Sequence, residues 1–190
     1  MERQKMLDLI REKINNRNLV SHCLAVEAIM RALAAELNHR AGSKKFDEEK
    51  WAATGLLHDI DYAQTADDPG RHSLVAGDLL KEMGFDGDIV HAVKAHNQVH
   101  GIPLESKLDT ALYAADPVSG LIVAAALVRP EKKLKSVDKG SVLKRFRERA
   151  FARGADRQQI MACEELGLTL EEFIELSLAA MQGVDRQLGL

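Results

Sequence analysis

The segment "GLLHDIDYAQT", residues 55 to 65, sets one imidazole and two carboxylates, His58, Asp59 and Asp61, directly behind an apolar helical run. Further donors of the same kind stand at His22, His72, His96 and Asp116, each expected near a helix end or on an apolar helix face. His22 shares a helical face with Val26, Ile29 and Leu33, and His96 shares one with Ile89, Ala92 and Val93, so both are expected to point inward. A buried imidazole or carboxylate without a partner costs about 2 to 7 kcal/mol, so a converging set of them needs a common partner. A divalent metal ion satisfies all of them together. Imidazole and carboxylate donors without thiolate suit Mn, Fe, Ni, Zn, Co or Mg, and water bound to such an ion is drawn toward a neutral pKa.

The elements that must position these residues are helical. Apolar residues recur at three and four positions (Leu24, Ala28, Met30, Leu33 and Leu37; Leu79, Leu80 and Met83), and no segment alternates with period two. This predicts an all-α chain. Phe46 and Trp51 are spaced as a hydrophobic staple around an Asp47 N-cap, and Thr169 with Glu172 has capping-box spacing. Gly84, Gly154 and Gly167 stand where C-terminal caps belong. These signals predict helices near residues 3–14, 20–38, 48–58, 72–83, 87–98, 105–115, 118–128, 141–152, 156–165 and 170–186, with Asp116-Pro117 read as a turn. Residues 1–128 carry every histidine and form the expected core. Residues 129–140, "RPEKKLKSVDKG", are a polar connection to a charged tail. The tail, within 129–190, is expected to pack on the core as an extension, because three short helices bury too little alone.

Composition narrows the partners. The chain has 190 residues, with 26 Lys plus Arg against 29 Asp plus Glu, a net charge of -3. That balance predicts no broad basic surface, hence no nucleic-acid polymer as partner, while leaving a small anion possible. The start, "MERQKMLDLIREKI", lacks an apolar run of signal-peptide type, and "VSGLIVAAALV" is too short to span a bilayer. No membrane partner and a cytoplasmic location are therefore expected. Cys23 and Cys163 are far apart and without a partner motif, as in a reducing compartment, and are read as two buried small hydrophobes. Oligomeric state leaves no signal in the sequence.

His22, the His58-Asp59 dipeptide and Asp116 followed by a further helix resemble the H...HD...D signature of the HD superfamily of metal-dependent phosphohydrolases, and "HDID" resembles its HDIG-type subgroup. The likeness covers roughly residues 20 to 128 and implies an HD-domain helical bundle. His72 in "RHSLVAGDLL" and His96 in "AVKAHN" resemble the additional histidines of binuclear members, such as the symmetrical dinucleoside tetraphosphate hydrolases, which implies two ions. On that resemblance His22, His58, Asp59 and Asp116 hold one ion, and Asp59 bridges to a second held by His72 and His96. The "LDTALYAADPVSGLIVAAALVRP" stretch is similar to an uncharacterised subgroup of the superfamily. The cyclic-dinucleotide phosphodiesterase branch carries a GYP motif and a paired histidine, whereas this chain has neither and shows His96-Asn97. The Glu-Asp pair of the stringent-response hydrolases is replaced by Ile60-Asp61-Tyr62.

The resemblance implies a metal-dependent phosphohydrolase cleaving a phosphoester or phosphoanhydride of a nucleotide or other small phosphorylated metabolite by metal-activated water. Asp59, Asp61 and Lys94 are the catalytic candidates, and Arg71, Lys94 and His100 the candidates for contact with substrate. Asp61 either orients a water or a histidine ligand or is a solvated helix-end carboxylate. His39 and His91 are assigned to surface or packing. Two other classes share the pattern: a non-catalytic metal- or nucleotide-binding regulatory module, and the HD-fold di-iron oxygenases.

Overall fold

Capping side chains begin most of the helices in the computed structural model, which describes residues 1–190 and contains no strand. The helices are α1 (Arg3–Lys13), α2 (Arg17–Ala41), α3 (Glu48–Leu57), α4 (Tyr62–Thr65), α5 (Leu74–Glu82), α6 (Gly87–Ala95), α7 (Lys107–Leu127), α8 (Lys139–Arg147), α9 (Arg157–Met161), α10 (Leu170–Gly183) and α11 (Asp185–Leu188). Asn16, Asp47, Ser106, Asp138, Asp156 and Thr169 each accept a hydrogen bond from a main-chain N–H of the first turn that follows. Thr169 with Glu172 closes the expected capping box, and Ser106 with Asp109 closes another. The Phe46 and Trp51 rings meet edge-on with centroids 5.3 Å apart, as a staple around Asp47 requires.

Most expected helices are found with ends shifted by a few residues, the short α4 was not expected, and two departures are larger. The Asp116-Pro117 pair is not a turn: α7 runs unbroken through it. Pro117 removes one helical donor, but Pro117, Val118, Ser119, Leu121 and Ile122 are all buried, so packing holds the helix together. Near the end of α8 the chain turns at Arg147 rather than 152, and Ala152, at φ 44°, takes the left-handed conformation that Gly154 was expected to supply. The Arg157 guanidinium explains the early stop, donating to the main-chain carbonyls of Arg145, Phe146, Glu148, Phe151, Ala152 and Ala155.

Helices α2, α3 and α7 form the centre. A continuous apolar cluster of 46 buried residues reaches from Met6 in α1 to Leu188 in α11, and includes Phe173 and Met181 of α10, which packs against α2 and α7. Helices α2 and α7 are long and apolar enough to cross a bilayer by length and composition, but 50% and 67% of their apolar windows are buried inside this fold. The approach of α3 to α2 is set at Gly55, where a Cβ would stand 2.8 Å from the Val26 carbonyl oxygen. Only glycine permits that backbone contact, and it brings the end of α3 against the turn of α2 that carries His22.

Candidate metal centre

Five parts of the fold deliver side chains to one place. His22 comes from the second turn of α2, His58 caps α3, and Asp59 follows it directly. His72 precedes α5, His96 caps α6, and Asp116 projects from the middle of α7. Asp59 sits at the centre. One of its oxygens is 3.3 Å from His72 Nε2, 3.4 Å from His58 Nε2 and 3.6 Å from His96 Nε2, and the other is 3.5 Å from His22 Nε2. Asp116 Oδ1 is 3.1 Å from His22 Nε2 and 3.9 Å from His58 Nε2. His58, Asp59 and His96 are buried, while His22, His72 and Asp116 are half-buried and mark the open side.

The opposite nitrogen of every imidazole is already committed. His58 Nδ1 lies 2.8 Å from the Gly55 carbonyl, His96 Nδ1 2.6 Å from the Val93 carbonyl, and His72 Nδ1 2.9 Å from Asp61 Oδ1. His22 Nδ1 lies 3.0 Å from Ser119 Oγ, which donates its own proton to the Asp116 carbonyl and so accepts from the imidazole. Assigned from these acceptors, Nδ1 carries a proton in all four rings, and Nε2 is the atom that each ring turns to the shared space. The Nε2 atoms of His22 and His58 stand 3.2 Å apart, close enough that a proton or a metal ion must lie between them.

This donor set fits metal binding. Donors on one ion at about 2.0 to 2.2 Å lie about 3 to 3.5 Å from one another. Two triads, His22 with His58 and Asp116, and His58 with Asp59 and His96, have donor atoms all within 4.8 Å of one another. Burial drives the His58 imidazole down to about 4, so it is neutral and free to bind. Burial opposes charge on His72, but hydrogen bonds to Asp59 and Asp61 prevail and push it up to about 10. Burial would likewise raise the Asp59 carboxyl, yet the surrounding imidazoles hold it well below the usual carboxylate range.

The other candidates lie around this centre rather than in it. Asp61 is buried, not solvated: beyond holding His72, its second oxygen accepts from the main-chain N–H groups of Ser73 and Ala76 at 2.8 and 2.9 Å. Ser73 has φ 70°, a conformation costing about 1 to 3 kcal/mol in a non-glycine residue, and Asp61 is what holds it there. Lys94 is not brought to the cluster, because its Nζ pairs with Asp78 at 2.6 Å on the surface. Two residues along a helix is a rotation of about 200°, so a buried His96 turns Lys94 outward. His100 Nε2–H donates to the His72 carbonyl at 2.7 Å, propping that turn from outside. Arg71 is exposed, with no side-chain partner, beside His72. His39 is exposed, and His91 pairs with Asp109 at 3.0 Å. Sequence reasoning missed Ser119, whose only signal is its place one turn after Asp116, and Tyr62, an exposed ring set edge-on to His72 at 5.0 Å.

A family model described as the HD domain matches residues 19–132. The chain belongs to the HD domain family. It is 35% identical over 105 residues to Ribonuclease Y of Oleidesulfovibrio alaskensis, covering 55% of this chain and 18% of that protein. It is 34% identical over 117 residues to Ribonuclease Y of Nitratidesulfovibrio vulgaris strain DP4 (61% and 21%), and 31% over 122 residues to that of Lawsonia intracellularis (64% and 22%). This HD-family chain thus spans about a fifth of the length of these relatives. No solved structure matches it at a significant level. The expected exclusion of a nucleic-acid polymer does not stand, since relatives sharing this part of the chain are named as ribonucleases. A net charge of -3 averages the whole surface and says nothing of charge at a local site.

Proposed function

We propose that this HD-family chain is a metal-dependent phosphohydrolase acting on phosphodiester bonds, with RNA as its substrate class. The observation that carries the reading is the common orientation of His22, His58, His72 and His96, each with Nδ1 held by the protein and Nε2 turned toward Asp59 and Asp116. Family membership supports hydrolysis, and the names of the relatives support RNA. One oxygen of Asp59 faces His22 and the other faces His58, His72 and His96, so this carboxylate would be shared by whatever metal the four imidazoles hold. His22, His58, Asp59, His72, His96 and Asp116 would hold the metal, which when bound supplies a nucleophilic hydroxide near neutral pH and offsets charge on a phosphoryl group.

Around the ions the chain's own residues have simpler tasks. Asp61, Ser119 and the Gly55 and Val93 carbonyls fix ring orientation, so no reorganisation is needed when a ligand arrives. Arg71, free and adjacent to His72, supplies a guanidinium to a phosphate oxygen at the open side. With Mn, Fe, Ni, Zn, Co or Mg added in turn, the protein is expected to hydrolyse bis(p-nitrophenyl) phosphate and to shorten a single-stranded RNA, both abolished by a chelator. Failure with every metal on both substrates would remove the reading.

A further inference from the structure

Helix α7 carries Asp116, Gly120, Val123 and Leu127 at spacings of four, three and four, hence on one face. That face is not covered. Asp116 is half-buried, Gly120 is exposed, and Leu127 is 49% exposed, in a helix whose other faces are core. Opposite stand Asn18, Ser21 and His22 of α2, and the C-terminal Leu188 and Leu190 complete the wall. The half-open cleft between them is about 290 Å³. His22 is both part of its lining and part of the donor cluster, so the cleft adjoins the candidate metal centre at that residue.

We propose that this cleft is the subsite for the nucleoside attached to the phosphate at that centre, with the base against Val123, Leu127, Leu188 and Leu190. Its volume is at the lower end of small-ligand sites, about 300 Å³, which suits one nucleoside. The apolar walls offer stacking surface, and the Asn18 amide, which has no side-chain partner, offers hydrogen bonds to a base edge or ribose. Ser21 Oγ donates to the Leu188 carbonyl at 3.4 Å and ties the C-terminal wall to α2. Leu188 and Leu190 lie outside residues 19–132, so this wall is an addition to the family domain. The inference rests on the phosphohydrolase reading for its phosphate end, but its test does not depend on turnover.

Gly120 lines the cleft and a Cβ there meets nothing within 4 Å, so the backbone accepts a side chain and Gly120→Phe places a ring at the cleft. Leu127→Glu, at an exposed position, places a carboxylate there instead. Calorimetric titrations of the Mn²⁺-loaded protein with adenosine 5′-monophosphate and with inorganic phosphate are compared. The wild type is expected to bind the nucleotide about tenfold more tightly than phosphate, and both variants to lose most of that advantage. Equal affinities in the wild type, or an undiminished advantage in both variants, would overturn the subsite. Nucleotide preference lost in both variants by a protein that hydrolyses nothing would instead uphold the subsite and refute the hydrolase reading.

Discussion

Asp59→Ala is expected to lower metal-dependent hydrolysis by about a thousandfold or more, equivalent to about 4 kcal/mol of transition-state stabilisation. The size follows from position. Asp59 is the one group within 3.6 Å of all four Nε2 atoms, its two oxygens divided between His22 on one side and His58, His72 and His96 on the other. Without it, no carboxylate would stand between the His22 imidazole and those of His72 and His96 to hold a cation there. Addition of Mn²⁺ should raise the unfolding midpoint of the wild type and leave that of Asp59→Ala almost unchanged, because only an ion that binds the folded state shifts the equilibrium. Hydrolysis within tenfold of wild type in the variant would show that Asp59 is not the centre of the site.

Asp61→Asn is expected to weaken binding of one ion by about 10- to 100-fold. The carboxylate receives three N–H groups, from His72 Nδ1 on one oxygen and from the main chain of Ser73 and Ala76 on the other. An asparagine has one oxygen, so in either orientation its amide meets at least one donor head-on. If it meets His72, the ring takes its other tautomer and presents Nε2–H to Asp59. If it meets the main chain, the strained turn at Ser73 loses its anchor and folding weakens by about 1 to 3 kcal/mol. Metal titration by calorimetry, together with thermal unfolding of the metal-free protein, separates the two. Unchanged affinity and unchanged stability in this variant would contradict the role given to Asp61.

Much of this was legible because it is local chemistry. Asp47, Thr169 with Glu172, Gly84 and Gly167 announce helix ends within a few residues, and each does so in the structure. The inward direction of His22 and His96 followed from helical phase against apolar neighbours, and both rings meet Asp59. Lys94 shows the same rule neglected: two residues from an inward His96 it had to face outward. What was not legible depends on distant parts of the chain. Nothing near Pro117 says that burial of Pro117, Val118, Ser119, Leu121 and Ile122 will hold a helix through it. Nothing near Ser119 says that His22, 97 positions earlier, will need its hydroxyl. The open cleft depends on residues 188 and 190 folding back to α2, which no periodicity records.

The most direct test of the account is the metal content of the wild-type protein as purified, by elemental analysis alongside His58→Ala. The account predicts between one and two equivalents of a divalent transition metal per wild-type chain, and far less in the variant. A wild-type protein that holds less than about a tenth of an equivalent, and takes up none when Mn, Fe, Ni, Zn or Co is supplied, would contradict it.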